Sequence, residues 1–229
     1  LVEQIVTRMK VGGRLFYIGA GTSGRLGVLD AAECPPTYGV DKGLVVGIMA
    51  GGDNAMFTAQ EGAEDSLELA AKDLAYYNLS EKDSVIGLAA SGRTPYVLGG
   101  LRYARQVGAL TGSISCVKNA EISEAADFPI EAVTGAEAIM GSTRMKAGTA
   151  QKLILNMIST SVMIKLGKVY QNYMVDVKPT NKKLVVRSKN MIRTLTGVDE
   201  ERAEQLYEAS GHNVKKALVM EIMNVDRES

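Results

Sequence analysis

Several residue types are scarce in this chain: it has no tryptophan, one histidine, two cysteines and three phenylalanines among 229 residues. One histidine, His212, and two cysteines outside any C-x-x-C spacing, Cys34 and Cys116, cannot assemble a zinc ligand set, so no metal site is expected. Both cysteines are expected to be reduced thiols. Neither sign of charge is in excess, with 26 Lys and Arg against 26 Asp and Glu. A nucleic-acid binder needs a basic footprint, and this balance offers none. A small anionic ligand is not excluded, because a single loop can hold one. No apolar run reaches the roughly 18 residues of a membrane span. No signal-peptide pattern opens the chain, and a cytoplasmic protein is expected. Leu1 has no Met before it and begins with helical character, so an N-terminal truncation is expected. Internal repeats and low-complexity segments are lacking too.

What is present is an alternation. Apolar runs at 14–20 (RLFYIGA), 44–50 (LVVGIMA), 83–90 (DSVIGLAA), 109–116 (ALTGSISC) and 128–132 (FPIEA) read as buried strands. Their aliphatic and β-branched content fits parallel strands covered on both faces. Helical segments near 24–32, 55–76 and 95–107 lie between them. The expected fold is α/β, a three-layer αβα sandwich on a five-stranded parallel sheet. Residues 143–167 read as one long, largely buried helix, capped by Ser142 and ended at Gly167. Met145, Leu153, Met157 and Met163 on it are expected in the core. Two further helices, 199–210 and 213–223, are separated by Gly211. The domain boundaries expected are 1–186 for the sandwich and 187–229 for a small helical appendage.

Two strands end in glycine-rich loops that open helices. The first, Gly19-Ala20-Gly21-Thr22-Ser23-Gly24, fits the G-x-G-x-x-G pattern of a dinucleotide turn. That site also needs an acid at the end of the second strand, and this strand ends at Ala50 followed by Gly51-Gly52. The following helix is moreover expected to break at Cys34-Pro35-Pro36, since proline cannot continue a helix interior. The second loop is Ala90-Ser91-Gly92-Arg93-Thr94-Pro95. Free N–H groups at helix starts, with hydroxyls and close backbone approach, suit one compact phosphate. Both loops also admit a plainer reading as tight turns with Ser/Thr caps.

These residues resemble a known family. "GAGTSGR" and "AASGRTPY" are similar to the two phosphate-loop motifs of the SIS (sugar isomerase) domain. The blocks "GAGTSGRLGVLDAAECPPTYG", "AGGDNAMFTAQEGAEDS" and "GSTRMKAGTAQKLILNMIST" closely resemble the N-acetylmuramic acid 6-phosphate etherases. The likeness extends to "VYQNYMVDVKPTNKKL" and covers nearly the whole chain. Glucokinase regulatory protein shares many of these motifs, but carries two sugar-phosphate domains and a lid, where this chain has one set of loops. The resemblance implies a cytoplasmic enzyme of peptidoglycan recycling that needs no metal or organic cofactor. It would release D-lactate and N-acetylglucosamine 6-phosphate. A homodimer is expected by analogy with other SIS domains, with the pocket near the interface.

Cleaving an ether at C3 of a sugar calls for a base at C2–H and an acid at the ether oxygen. The family's two glutamates fall on Glu33, in "DAAECPP", and Glu64, in "EGAED". The resemblance thus implies Glu33 as the acid for departing lactate and Glu64 as the base. Burial of Glu33 against the expected helix end would raise its pKa. By the residues alone, Glu33 also reads as a solvated helix-end acid. Glu64 reads as one of a wet run with Glu61, Asp65 and Glu68, and Glu61 is the alternative base. The expected phosphate ligands are Thr22, Ser23 and Gly24 from the first loop and Ser91, Gly92, Arg93 and Thr94 from the second. Arg93 can instead pair with an acid. Ser142, Arg144 and Lys146 suit a second anion, the lactate carboxylate or the phosphate. Glu137 suits a sugar hydroxyl. His212 is expected at the surface, and the appendage resembles a ubiquitin-associated three-helix bundle, read as a packing or dimer element.

Overall fold

The computed structural model describes residues 1–58, 60, 62–179 and 181–226. Its first helix, α1 (Val2–Lys10), leads into β1 (Leu15–Gly19), α2 (Gly21–Tyr38) and β2 (Val45–Met49). Then come α3 (Leu69–Tyr76), β3 (Ser84–Leu88), α4 (Pro95–Val107), β4 (Leu110–Ser115), the short α5 (Glu121–Glu124) and β5 (Phe128–Glu131). Every strand pairing is parallel, in the order β2-β1-β3-β4-β5. All five expected strands are therefore present. β1, β3 and β4 are buried throughout, whereas the outer strand β5 alternates between half-buried and exposed. Helices cover both faces, as a parallel sheet requires. Phe16, Ile18 and Val85 pack with Leu74 of α3 and Val97 and Leu101 of α4. On the opposite face Gly27 of α2 lies against Tyr17, and a methyl there would sit 2.9 Å from the Tyr17 Cβ.

The strand order positions the site. The chain leaves β1 toward β2 on one side, then crosses to β3 on the other. β1 and β3 are neighbours in register, with Gly19 beside Leu88. Their carboxyl ends form the topological switch point of the sheet, where open α/β folds bind ligands. At the amino ends, buried Asp83 fixes the register. It accepts from the Arg14 backbone N–H (2.8 Å), and Arg14 Nη2 lies 2.9 Å from its Oδ2. Burial alone pushes this carboxyl up, but the Arg14 and Ser80 hydrogen bonds and the Arg14 charge outweigh it and hold the pKa below 3.8.

Three expectations change at the level of elements. α2 does not break at Cys34-Pro35-Pro36 but carries both prolines inside it and ends at Tyr38. The two rings remove N–H donors, yet the turn closes because the Gly39 N–H donates to the Pro35 carbonyl (2.9 Å). The helix expected over 55–76 is instead two single 3₁₀ turns, Asp53–Met56 and Ala63–Asp65, followed by α3. Gly51, Gly52 and Gly62, all with positive φ, turn the chain there in ways a continuous helix does not allow. The long helix, α6 (Lys146–Lys165), begins later than 143.

The chain forms two compact units. One comprises Leu1–Glu33 and Lys42–Val162, the other Cys34–Asp41 and Met163–Ser229. The second contains α7 (Lys182–Thr196), α8 (Glu200–Ala209) and α9 (Val214–Met223), packed around Ile192, Tyr207 and Leu218. Asn181, Asp199 and Asn213 cap them, accepting from the N–H groups of Leu184, Arg202 and Lys216. The bundle thus starts at Lys182, earlier than residue 187. His212 stacks on Tyr207 at 4.9 Å between ring centroids, with Nε2 2.9 Å from Glu208 Oε2.

Candidate functional site

The site assembles where β1, β3 and β4 end. The first loop turns directly into α2, with Gly21 at φ 52°. Gly24 lies so close to the end of β1 that a methyl on it would sit 2.7 Å from the Gly19 carbonyl oxygen. The helix therefore begins hard against the strand. The N–H groups of a helix's first turn lack partners within the helix, and here that of Gly24 donates back to the Ala20 carbonyl (3.1 Å). After β3, Gly92 makes the second turn with φ 73°, and its carbonyl accepts from the Ile122 N–H (3.0 Å). Thr94 precedes α4, and Pro95 fills the first helical position, where an N–H is dispensable. Both loops stand side by side at the switch point, as their sequences suggest. Gly92 is buried, Thr22 and Thr94 half-buried, and Ser91 and Arg93 exposed.

The start of α6 forms the third wall. Ala147 clusters with Ala90 and Cys116, at the ends of β3 and β4. The Cys116 thiol lies 3.6 Å from the Ala147 carbonyl. Ser23 does not reach free into the crevice: its hydroxyl donates to Gln151 of α6 (2.8 Å), and Gln151 donates to the Ile114 carbonyl. Its only proton is committed, so its donor to an anion is the backbone N–H rather than the side chain.

Glu137 caps α6, and Ser142 is not the cap. The Glu137 carboxylate accepts from the Lys146 N–H (3.1 Å) and the Ala147 N–H (3.0 Å). Those two hydrogen bonds hold its pKa below 4.5 against a small opposing push from desolvation, with help from the Lys146 charge. Burial, then the charge of Glu137, push the Cys116 thiol up, which makes it an inert packing group. Lys146 Nζ donates to the Ala136 carbonyl (2.8 Å), so its ammonium folds over this cap. Ser142 is half-buried and Arg144 exposed on the approach to α6.

The two glutamates occupy different places. Glu64 lies exposed in the Ala63–Asp65 turn, on the segment that follows β2. Arg25, one turn into α2, donates to the Ala55 and Met56 carbonyls (2.7 and 2.9 Å) and ties that segment to the first loop. Leu67 approaches Gly99 of α4 so closely that a methyl there would meet the Leu67 carbonyl at 1.8 Å. Glu33 lies much farther along α2 and is exposed, which corrects the expectation of partial burial; no helix end shelters it. The alternative base, Glu61, falls outside the described residues.

Sequence reasoning passed over Arg25, Gln151 and Asp30. Asp30 accepts from Asn156 Nδ2 (2.7 Å) and the Ser159 hydroxyl (3.0 Å), joining α2 to α6. The available signal was polarity inside segments that otherwise read as buried. The long helix corrects another expectation: Met163 is fully buried, but Met145, Leu153 and Met157 are 56%, 52% and 59% exposed.

Among the described residues no helix is long and apolar enough to cross a membrane, and no group of three or more His, Cys, Asp or Glu could hold a metal ion. Comparison with known proteins places the chain. A family model for the glucokinase regulatory protein N-terminal SIS domain matches residues 1–105. A second, for the C-terminal lid domain of that protein, matches residues 171–227. A curated N-acetylmuramic acid 6-phosphate etherase of Clostridium botulinum (strain Eklund 17B / Type B) is 63% identical over all of this chain and 76% of its own length. One from Exiguobacterium sp. (strain ATCC BAA-1283 / AT1b) is 60% identical, over 100% of this chain and 78% of its own. Among solved structures, a phosphoheptose isomerase from Francisella tularensis aligns with a TM-score of 0.53 at 14% identity, covering 71% of this chain and 83% of that one. At that identity the likeness is one of fold.

Proposed function

We infer the course of the reaction from one premise: the chain belongs to the family of N-acetylmuramic acid 6-phosphate etherases. Its function is to cleave the D-lactyl ether of N-acetylmuramic acid 6-phosphate, giving N-acetylglucosamine 6-phosphate and D-lactate, as a carbon–oxygen lyase. The observation that carries the rest is the pair of glycine loops, standing together on neighbouring strands at the switch point.

The phosphate sits across the starts of α2 and α4. Backbone N–H groups of Thr22, Ser23, Arg93 and Thr94, with the hydroxyls of Thr22, Ser91 and Thr94, surround it, and Arg93 supplies the compensating charge; the Gly24 and Gly92 N–H groups close their own turns onto the Ala20 and Ala89 carbonyls. With the phosphate fixed, the opened sugar chain extends along the crevice. Glu64 removes the C2 proton, which the C1 aldehyde makes acidic. The C2–H electron pair forms the C2–C3 double bond as the C3–O bond breaks, and Glu33 protonates the leaving lactate oxygen. Water then adds at C3 and a proton returns to C2. Arg144 and Ser142 at the α6 approach hold the lactate carboxylate. Glu137 fixes that helix start and offers its remaining lone pairs to a sugar hydroxyl. The protein works in the cytoplasm, as a homodimer.

Incubation with the substrate in heavy water, read by proton NMR, tests this course. Release of D-lactate with deuterium at C2 is expected. Exchange at C2 without lactate would keep the base and remove the acid from the scheme. Line broadening of the sugar phosphate with neither event would mark a binding protein of the regulatory type.

A further inference from the structure

Glu64 stands exposed on a single 3₁₀ turn that has no side-chain cap. Such a turn does not aim a side chain by itself. A base nonetheless has to meet the C2 proton within hydrogen-bond reach while the phosphate is held on another loop. Some element must fix the spacing between the Glu64 turn and the second loop, and α4 is placed to do so. Its start carries that loop. It is also pressed hard onto the sheet, since a methyl on Gly87 of β3 would lie 2.5 Å from Val97 Cγ1. The second loop, α4 and β3 therefore move together.

A neighbouring side of α4 carries the segment that follows Glu64. At Gly99 backbone meets backbone: the Leu67 carbonyl, three residues beyond Glu64, fills the space a methyl would need. Gly100 approaches α3 in the same way, and a methyl there would lie 2.9 Å from Ala70 Cβ. Tyr96 completes the row, because positions 96, 99 and 100 are spaced to share one helix face. Its side chain is fully buried, and its hydroxyl donates to Asp73 Oδ2 of α3 (2.6 Å). Burial, then the hydrogen bond and charge of Asp73, push the phenol up, so it stays protonated and keeps donating near neutral pH. Tyr96 is only two residues past Thr94. One buried bond thus ties the helix start at the phosphate loop to the helix that continues the Glu64 segment.

We propose that Tyr96, held by Asp73, and Gly99 are positioning residues: through them α4 sets the distance between the phosphate on the second loop and Glu64. The proposal rests on the reading of Glu64 as the base at C2. The sugar chain from phosphate to C2 has a fixed length, and α4 is the ruler set against it. Tyr96 is fully buried and touches no reacting atom; it acts only through where it holds the Glu64 segment.

Tyr96→Phe keeps the ring and removes the bond. With N-acetylmuramic acid 6-phosphate, its kcat should fall about 10-fold while KM stays within about twofold of wild type. Exchange of the C2 proton in heavy water should fall by the same factor, because the displaced group is the base. Asp73→Ala should match it, and Asp73→Asn, which keeps an acceptor, should recover most of the rate. Tyr96→Phe combined with Asp73→Ala should cost no more than either alone. Gly99→Ala should lower kcat about 100-fold, since the Leu67 carbonyl has to move. Should that variant fail to fold, the phenylalanine variant still decides. Wild-type kcat and C2 exchange in Tyr96→Phe, whatever its urea midpoint, would overturn the proposal, because a merely structural tie moves stability alone. A loss confined to KM would overturn it too, since the phosphate loop rather than the base would then have shifted. Glu64→Gln, measured alongside, separates the two ways to fail. Full C2 exchange in it would end the reading of Glu64 as base, and the proposal with it. Exchange abolished there but unchanged in Tyr96→Phe would end the proposal alone.

Discussion

Glu137 holds two N–H groups at the start of α6, and it does so fully only while it is ionised. Its folded pKa lies below the ordinary 4.5. A carboxyl depressed by folding stabilises above its unfolded pKa and loses that contribution as pH falls through the folded value. Wild-type protein should therefore unfold at higher urea than Glu137→Gln near neutral pH. The gap should stay constant down to about pH 5 and close as acidification continues toward about pH 3. A gap unchanged across that range would mean that shape, not charge, makes the cap. The same variant should raise KM more than it lowers kcat, because the wall it fixes binds substrate rather than moving a proton.

At the scale of elements, the second loop depends on one backbone conformation. Gly92 has φ 73°, and a methyl on it would lie 2.4 Å from Cβ of Ala120. Gly92→Ala should cost about 1–3 kcal/mol in urea unfolding and reduce kcat/KM about 10- to 100-fold, because the phosphate donors move with the turn. Gly12→Ala is the comparison, with φ 88° and open space around it. It should cost about 1–2 kcal/mol of left-handed strain and leave kcat/KM unchanged. Equal kinetic effects from both would separate the second loop from substrate binding. Elements of this kind were the legible part of the fold. Period and composition mark five strands, and Gly/Ser/Thr clusters mark both loops, because strand burial and tight turns are local demands. What was not legible depends on partners distant in sequence. Prolines 35 and 36 argue for a helix end, yet the closing bond from Gly39 carries the turn through. Ser142 has the better local credentials as a cap, but Glu137 reaches the helix start from a preceding loop. Ser23 looks like a free hydroxyl until Gln151, 128 positions away, accepts its proton.

For the whole molecule, the question is what the exposed strip on α6 does. Leu153 and Met157 carry apolar helix surface that a monomer would leave in water, and burying each such side chain is worth about 1.5–3 kcal/mol. If the strip serves a second copy, a charge placed there should cost nothing in the monomer and much in the dimer, where an unpaired carboxylate would be desolvated. Met157→Glu should thus keep the wild-type far-UV circular dichroism and unfold at similar urea once protein concentration is low. Sedimentation at micromolar concentration should show a monomer where wild-type protein shows a dimer. Because the monomer keeps both glycine loops and Glu64, it should still bind the sugar phosphate and still exchange the C2 proton in heavy water. A site set near the subunit interface loses its alignment with the partner, so lactate release should fall by about 10- to 100-fold. A monomeric variant with full lactate release would leave the apolar strip without a catalytic role.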